Sequence, residues 1–487
     1  MHIFVPLRHA NRRWFSDMIQ FILNQTLIET NKPPGLTLLD FVRYEAHLCG
    51  TKIGCREGDC GACTVLIGAL HGGEMQYQSA TSCLTPLANV HGRHVVTVEG
   101  LNLPGKRLNR AQEAMVQHSA TQCGFCTPGF VVSLCGYALN VQKADAAGAV
   151  GAIDGNICRC TGYKSIERAA GDLALHLEKK DAAHALPWLV SERFLPDYFT
   201  GIPERLSQLN NKDRKLHSGH TPIGGGTDLY VQKHHEIPDM ELQFMARQKP
   251  ADAILFDENS CTLTAQATAT DLMEAAPLSE AVPGWRQFLK LVSSTPIRNI
   301  GTVAGNIANA SPIGDLSIML LAVGARLTLV DESLSTEREI ALDGLYLDYK
   351  KLDKTPAEII RRIRFDIPRK GQFFNFEKVC KRQYLDIASV NTALLVTVEN
   401  EKITTARCSI GGVAPIPKYL RETSRFLEGR SLSAETVRQA LAVLQTEISP
   451  ISDVRGTAEY KHLLAKQLFC AHFVELFPQT IKMEDLL

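Results

Sequence analysis

Eight of the fourteen cysteines in this 487-residue chain fall into two tight constellations within its first third. No other feature limits the fold as strongly. Cys55, Cys60 and Cys63 are separated by four and then two residues, and Cys83 follows after nineteen more. Cys123 and Cys126 are two residues apart, and Cys158 and Cys160, one residue apart, follow after thirty-one. Cys-x4-Cys-x2-Cys with a distant fourth ligand is the plant-type ferredoxin spacing for a [2Fe–2S] cluster. It lies in TKIGCREGDCGACTV, where Gly54, Gly58, Gly61 and Ala62 leave the backbone bare, so that amides can approach inorganic sulfide and stabilise a reduced cluster. A four-cysteine zinc site is the alternative. Zinc knuckles favour two short pairs over a three-cysteine loop with one remote ligand, which argues against zinc in the first set. The spacing of the second set alone leaves zinc open.

The flanks of the second set decide the matter. TQCGFCTPGF and GNICRCTGYKSI, in this order behind a ferredoxin loop, resemble the second iron–sulfur domain of the molybdenum hydroxylases, the family of xanthine dehydrogenases and aldehyde oxidases.

Composition sets limits around this. Lysine plus arginine (52) balances aspartate plus glutamate (52), so there is no basic field for nucleic acid and no acidic tail. No apolar run reaches membrane-spanning length, and the N-terminus has no signal-peptide core. Clustered cysteines without an export signal point to reduced thiolates and a cytoplasmic protein. Cys49, Cys135, Cys261, Cys380, Cys408 and Cys470 are expected to be small buried apolar residues. At Cys49, which precedes Gly50, a tight turn is favoured over ligation.

Residues 1–17 mix arginine with aromatic side chains and read as a disordered extension or the product of an upstream start codon. MIQFILNQTLIET predicts a β-hairpin, LTLLDFVRYEAHL a helix leading to the cluster loop, and CTVLIG and HVVTVEG further strands. Together they predict a β-grasp ferredoxin domain over 18–101. A helical domain is expected over 102–180. In it Thr127 caps a first helix with Pro128 at its first position, and Ser165 caps a second with Glu167 in its first turn. KADAAGAVGA is expected to face solvent, and residues 180–190 to form a linker.

Beyond residue 190 the chemistry changes. HTPIGGGTDLYV places Gly224, Gly225 and Gly226 before Thr227 and Asp228, where bare backbone can meet a pyrophosphate, although such a stretch alone is equally a flexible turn. STPIRNIGTVAGNIANASPIGDLSIMLLAVGA offers Gly301, Thr302, Gly305 and Asn306, with Asp315 able to accept from ribose hydroxyls. No GxGxxG fingerprint occurs, which argues against a Rossmann site. In this order the two stretches resemble the vanillyl-alcohol-oxidase-like FAD-binding domain of the same family, expected over 190–366. KVCKRQYLDIASVNTAL resembles the family's C-terminal flavoprotein motif, in a small α/β domain expected over 370–480. The predicted fold class is therefore multidomain α+β.

The resemblance covers roughly residues 18 to 480, and its implications are residue-specific. Cys55, Cys60, Cys63 and Cys83 would hold the ferredoxin-type cluster, and Cys123, Cys126, Cys158 and Cys160 the cluster nearer molybdenum. Gln122 and Cys160 match positions that touch the pterin. Pro222, Ile223, Gly224, Gly225, Gly226, Thr227, Asp228 and Leu229 would wrap the FAD pyrophosphate. Gly301, Thr302, Gly305, Asn306, Asn309 and Asp315 would bind its phosphates and ribose, with Lys378 near the flavin. Val292 stands where animal enzymes stack an aromatic ring on the flavin. The chain stops at Leu487, before any molybdopterin domain. By resemblance it is expected to be the electron-transfer subunit of a split, xanthine-dehydrogenase-type enzyme. A molybdopterin-binding large subunit would oxidise hypoxanthine and xanthine to urate, in a dimer of heterodimers. Electrons would pass through two [2Fe–2S] clusters to FAD and on to NAD+, and no residue of this chain is expected to be an acid–base catalyst. A related subunit serving aldehydes or N-heterocycles with another acceptor is the alternative. A stand-alone NADH:acceptor reductase and a redox sensor are further possibilities.

Overall fold

The computed structural model describes residues 18–209, 221–237, 240–248, 252–331, 333–382 and 384–486. The expectation for residues 1–17 lies outside the described residues.

Five strands, β1 (Ile19–Leu23), β2 (Thr26–Thr30), β3 (Thr64–His71), β4 (Glu74–Thr81) and β5 (His94–Val96), form one sheet in the order β2-β1-β5-β3-β4. β1 and β2 are the predicted hairpin. β1 pairs in parallel with β5, and the other ladders are antiparallel. The expected strands did not include β4. It is joined to β3 by Gly72 and Gly73, both at positive φ, and only Met75 and Tyr77 give it an apolar rhythm. The predicted helix forms as Leu38–Asp40 continuing into a π-turn, Phe41–Glu45, with Thr37 accepting from the Asp40 amide. Leu38, Leu39 and Val42 bury its inner face, and the chain then enters the loop carrying Cys55.

The helical unit differs from expectation at both predicted caps. Helix Thr127–Asn140 has Cys126 at its cap position, and the Thr127 hydroxyl bonds instead to that of Thr121 at 2.8 Å. Pro128, which lacks an N–H, fits the first turn, where no intrahelical acceptor exists. Helix Lys164–Leu177 begins after Tyr163, held at φ 68°, so Ser165 lies inside it with its hydroxyl buried and unpartnered. Glu167 does fall in the first turn. Ile166, Ala169, Ala170, Leu173, Ala174 and Leu177 form the buried face of this amphipathic helix.

KADAAGAVGA faces solvent along most of its length, as expected, and is helical over Ala146–Gly151, where Asp145 accepts from the Gly148 amide and Ala149 is buried. The supposed linker contains helix Ala185–Ser191, with Leu189 buried, and Lys180 donates to the carbonyls of Ala138, Leu139 and Val141 at the end of helix Thr127–Asn140. Burial of Leu189, Phe194 and Phe199 in the helical core makes this stretch part of that unit. Among the six remaining cysteines, Cys135, Cys261, Cys408 and Cys470 are buried, whereas Cys49 is exposed and Cys380 half-buried.

β6 (Thr221–Ile223) and β7 (Leu242–Phe244) pair in parallel. β8 (Ile254–Phe256), β9 (Ser260–Thr264), β10 (Arg326–Asp331), β11 (Thr336–Ala341) and, after the small pair β12 (Tyr346–Asp348) and β13 (Lys351–Leu352), β14 (Ile359–Asp366) follow. The five-stranded sheet has the order β11-β10-β14-β9-β8 and shares one apolar core with the helix Asp315–Ala322, nearly all of it buried. The C-terminal unit is an antiparallel sheet of β15 (Gln372–Val379), β16 (Val390–Glu399), β17 (Lys402–Gly411) and β18 (Lys418–Tyr419). It is covered by helices Arg421–Leu427, Ala434–Glu447 and Ala458–Leu476. Among the described residues no helix is long and apolar enough to cross a membrane.

Candidate functional site

The first cysteine set lies between the β-grasp unit and the pair β6–β7, with Cys63 and Cys83 in one apolar cluster with Leu39, Ile223, Tyr230 and Phe244. All fourteen thiols are free. Among the described residues no three His, Cys, Asp or Glu side chains stand where they could hold one metal ion. Instead the thiols face each other in pairs, Cys55 with Cys60 and Cys63 with Cys83. Two pairs of thiolates are the donor set of a two-iron cluster, in which each iron takes two. The Cys60 thiol draws Cys55 well below the usual thiol range, against burial and with help from the amides of Glu57, Cys60 and Asp59, and Cys60 is pushed up in return. Cys83 likewise lowers Cys63 and is itself raised. The Glu57 N–H reaches Cys55 Sγ at 3.3 Å. Gly58 and Gly61 have φ of 81° and 64°, and a methyl on Gly54 would stand 2.5 Å from Cys60 Sγ. The loop thus has the bare backbone and the donors that a sulfide-bridged cluster needs.

The second set pairs Cys123 with Cys160, their sulfurs 3.4 Å apart, and Cys126 with Cys158. Burial acts to raise Cys158, but the Thr161 hydroxyl at 3.2 Å and the amides of Cys160 and Thr161 pull it below the ordinary thiol value. The Phe125 amide and the Cys160 thiol lower Cys123. Burial and Cys158 push Cys126 up to about 12. Cys123, Cys160 and Gln122 are exposed, as are the rings of Phe125 and Tyr163.

A cavity of about 740 Å³ opens beside the first set. Its wall includes residues 222–229 together with Gly301, Thr302, Gly305, Asn306, Asn309, Asp315 and Val292, so sequence stretches eighty residues apart meet at one site. A methyl on Gly225 would lie 1.7 Å from the Ile300 carbonyl oxygen, and one on Gly224 would lie 2.6 Å from Thr302 Oγ1. Only glycine lets these two loops touch along bare backbone, the arrangement a pyrophosphate requires. Thr302 accepts from the Gly305 amide at 3.1 Å and caps helix Val303–Asn309. Burial raises Asp228 above the usual carboxylate value.

Asp315 was expected to serve ribose hydroxyls. Its Oδ2 is paired with Lys378 Nζ at 2.7 Å and its Oδ1 accepts from Asn391 Nδ2 at 2.6 Å. Lys378, almost wholly buried, also donates to the Leu291 carbonyl and does not itself line the cavity. Sequence reasoning missed several wall residues. Glu57, Asp59 and Leu84 come from the first cysteine set's own unit, and Arg298, Arg382 and Arg455 from three separate places. Arg298 Nε is buried without a hydrogen-bond partner. Arg382 lies in a recognised stretch, but nothing local marks Arg455. Asn89 Nδ2 donates to the Gly224 carbonyl at 3.2 Å and fastens the β-grasp unit to the glycine loop.

Four family models match the chain in order: a 2Fe-2S iron-sulfur cluster binding domain over 21–88, a [2Fe-2S] binding domain over 97–171, the FAD binding domain in molybdopterin dehydrogenase over 199–369, and the CO dehydrogenase flavoprotein C-terminal domain over 376–476. Two ferredoxin-type cluster domains joined to a FAD-binding domain define an electron-transfer protein. The xanthine dehydrogenase of Emericella nidulans is 28% identical over 97% of this chain, and the xanthine dehydrogenase/oxidase of Gallus gallus 26% over 96%. The chain belongs to the molybdenum hydroxylase family. It spans about 40% of the length of these curated relatives. Reconstituted CO dehydrogenase from Oligotropha carboxidovorans overlaps 53% of this chain and 88% of its own, with 25% identity and a TM-score of 0.48.

Proposed function

We propose that this chain is the iron–sulfur/FAD subunit of a cytoplasmic xanthine dehydrogenase, relaying electrons from a molybdopterin-bearing partner towards NAD+. The observation that carries the proposal is the shared wall: the loop of Cys55 and Cys60 contributes Glu57 and Asp59 to the same cavity that the glycine loops line. Bound [2Fe–2S] clusters supply one-electron steps, and a bound flavin supplies the change from single electrons to a hydride pair.

The chain's own residues hold and insulate. Cys55, Cys60, Cys63 and Cys83 would take the inner position against the cavity, with Cys63 and Cys83 only 2% exposed. Cys123, Cys126, Cys158 and Cys160 would take the outer one, and exposed Gln122 and Cys160 would meet the partner. Residues 222–229, Gly301, Thr302, Gly305, Asn306 and Asn309 would carry the FAD phosphates and ribose. Lys378, fixed by Asp315, would place a cation behind the flavin, and the small buried Val292 would stand at its face. Domains over 18–101 and 370–480 are part of the proposal, as are a helical unit, expected over 102–180 and carried on through Phe199, and the flavin unit, expected over 190–366, that follows it. So is assembly as a dimer of heterodimers.

Purification of the tagged chain with its native partners tests this. The complex should contain molybdenum and reduce NAD+ with xanthine. The chain alone, loaded with iron and FAD, should oxidise NADH with a dye and leave xanthine untouched. A complex turning over aldehydes or N-heterocycles but not purines would overturn the substrate assignment and leave the relay standing. Xanthine oxidation by the partner-free chain would overturn the relay as well.

A further inference from the structure

Immediately before Cys158, residues 154–157 touch both other redox regions of the molecule. Asp154 Oδ1 accepts from the Thr295 amide at 2.8 Å, and Oδ2 from Arg298 Nη2 at 2.7 Å. The two charged side chains are only 6% and 2% exposed. Arg298 in turn donates to the carbonyls of Val292 at 2.8 Å and Ser293 at 3.2 Å, on the cavity wall. At Gly155 a methyl would meet Pro296 at 2.7 Å. Asn156 Nδ2 donates to the Gly61 carbonyl at 3.0 Å, while its Oδ1 accepts from Ser133 at 2.8 Å. Finally, the Ile157 amide donates to the carbonyl of Cys60 at 3.0 Å.

We infer that segment 154–157 is the positioning element of the relay: it sets the second cysteine set against the first, and both against the flavin wall. The inference rests on the relay reading above. A ligand of one set, Cys60, joins a ligand of the other, Cys158, through one hydrogen bond and the Ile157 backbone. Electron tunnelling decays exponentially with gap and runs better through bonds than through space, so such a bridge governs the rate between the two sets. Packing alone explains little of this. A buried ion pair such as Asp154–Arg298 is often no more stabilising than apolar residues of the same volume, and its best-attested use is to fix register. Gly61, Gly129 and Gly155 let the backbones close on one another at the junction: a methyl on Gly61 would stand 2.2 Å from the Gly155 carbonyl, and one on Gly129 2.4 Å from that of Gly61.

The test uses the full chain loaded with iron, sulfide and FAD, in wild-type, Asn156→Ala, Asp154→Asn and Lys180→Ala forms. Metal, sulfide and flavin content are measured first. Low-temperature electron paramagnetic resonance of the fully reduced protein then reads the magnetic interaction between the two clusters, which falls steeply with distance and changes with the bridge. Asn156→Ala and Asp154→Asn should keep both clusters and the flavin but lose the interaction splitting. The Lys180 variant, which only loosens a helix end in the same unit, should melt earlier with its splitting intact. If Asp154→Asn does not fold, Asn156→Ala decides alone, because it removes one amide from a pocket that keeps its backbone contacts. An unchanged splitting with all cofactors present would overturn the positioning inference and leave the relay intact. A wild-type chain without paired iron and sulfide would overturn both.

Discussion

The two cysteine sets share a chemistry and differ in their surroundings. The first is the more enclosed: Cys63 and Cys83 are 2% exposed, Cys55 and Cys60 are half-buried, and the loop before Cys63 forms part of the cavity wall. The second reaches the surface, with Cys123 and Cys160 open to solvent beside exposed Phe125 and Tyr163, and only Cys158 buried. The number of thiolates therefore does not distinguish them, and access does. Cys63 and Cys83 meet only this chain's own residues, whereas Cys123 and Cys160 offer an edge to another molecule.

The sharpest way to break this comparison is to remove one set at a time. Cys126→Ser should erase one paramagnetic signal and leave the other, and Cys63→Ser should do the reverse. Loss of both signals from either variant would mean that the sets do not assemble independently.

Separation from the flavin site is tested by Gly225→Glu. Its Cβ would collide with the Ile300 carbonyl, and its carboxylate would face a pyrophosphate, which together cost several kcal/mol, roughly, by steric and Coulomb arguments. FAD should be lost with iron and sulfide unchanged, and wild-type flavin occupancy would refute the loop assignment. The contrast in access is read directly by alkylating the cluster-free chain and mapping the products by mass spectrometry. Cys123 and Cys160 should react on the order of a hundredfold faster than Cys63 and Cys83, which are reached only through local opening.

A smaller effect separates the lobes by stability. Lys378→Ala leaves Asp315 in a nearly buried site with its charge uncompensated, at a cost of about 3 kcal/mol. The urea midpoint of the flavin lobe should fall while the helical cluster unit unfolds as before.

Per pH unit, the smallest effect is an acid response of the β-grasp unit. His94 is buried, with its Nε2–H donating to the Asn24 carbonyl and its Nδ1 accepting from the Tyr77 hydroxyl at 2.8 Å. Burial holds its pKa down at about 3. The unfolded chain takes up a proton near the ordinary value of about 6.5, which the folded chain refuses. Stability is thus full above that pH and drains as pH falls towards 3, by about 1.4 kcal/mol per unit. His472, buried between Asn375 and Thr392, follows the same rule in the C-terminal unit. His94→Gln should therefore flatten the pH dependence of the β-grasp transition alone, and an unchanged slope would remove His94 as its cause.

Much of this architecture is legible in the chain because the signals are local. The cysteine spacings, the bare backbone around them and the hairpin at β1 and β2 are set by neighbours a few residues apart. The caps were misplaced where a local rule met a stronger one. Thr127 looks like a cap, yet Pro128 is accommodated with Cys126 in that position. Helices Ala146–Gly151 and Ala185–Ser191 were missed because short, alanine-rich or proline-containing stretches carry little periodicity, and packing on the helical core decides them.

By itself the sequence determined the thiol spacing of the two sets and where the backbone must be glycine, since cysteine spacing and the absence of a Cβ are properties of short segments. The tertiary structure alone decided which set is the more enclosed, that Asp315 is engaged by Lys378 and Asn391, and that Asp154 grips Arg298 across 144 residues. These contacts pair charges and amides from different units, and only the burial of both partners in one interface brings them within hydrogen-bonding distance.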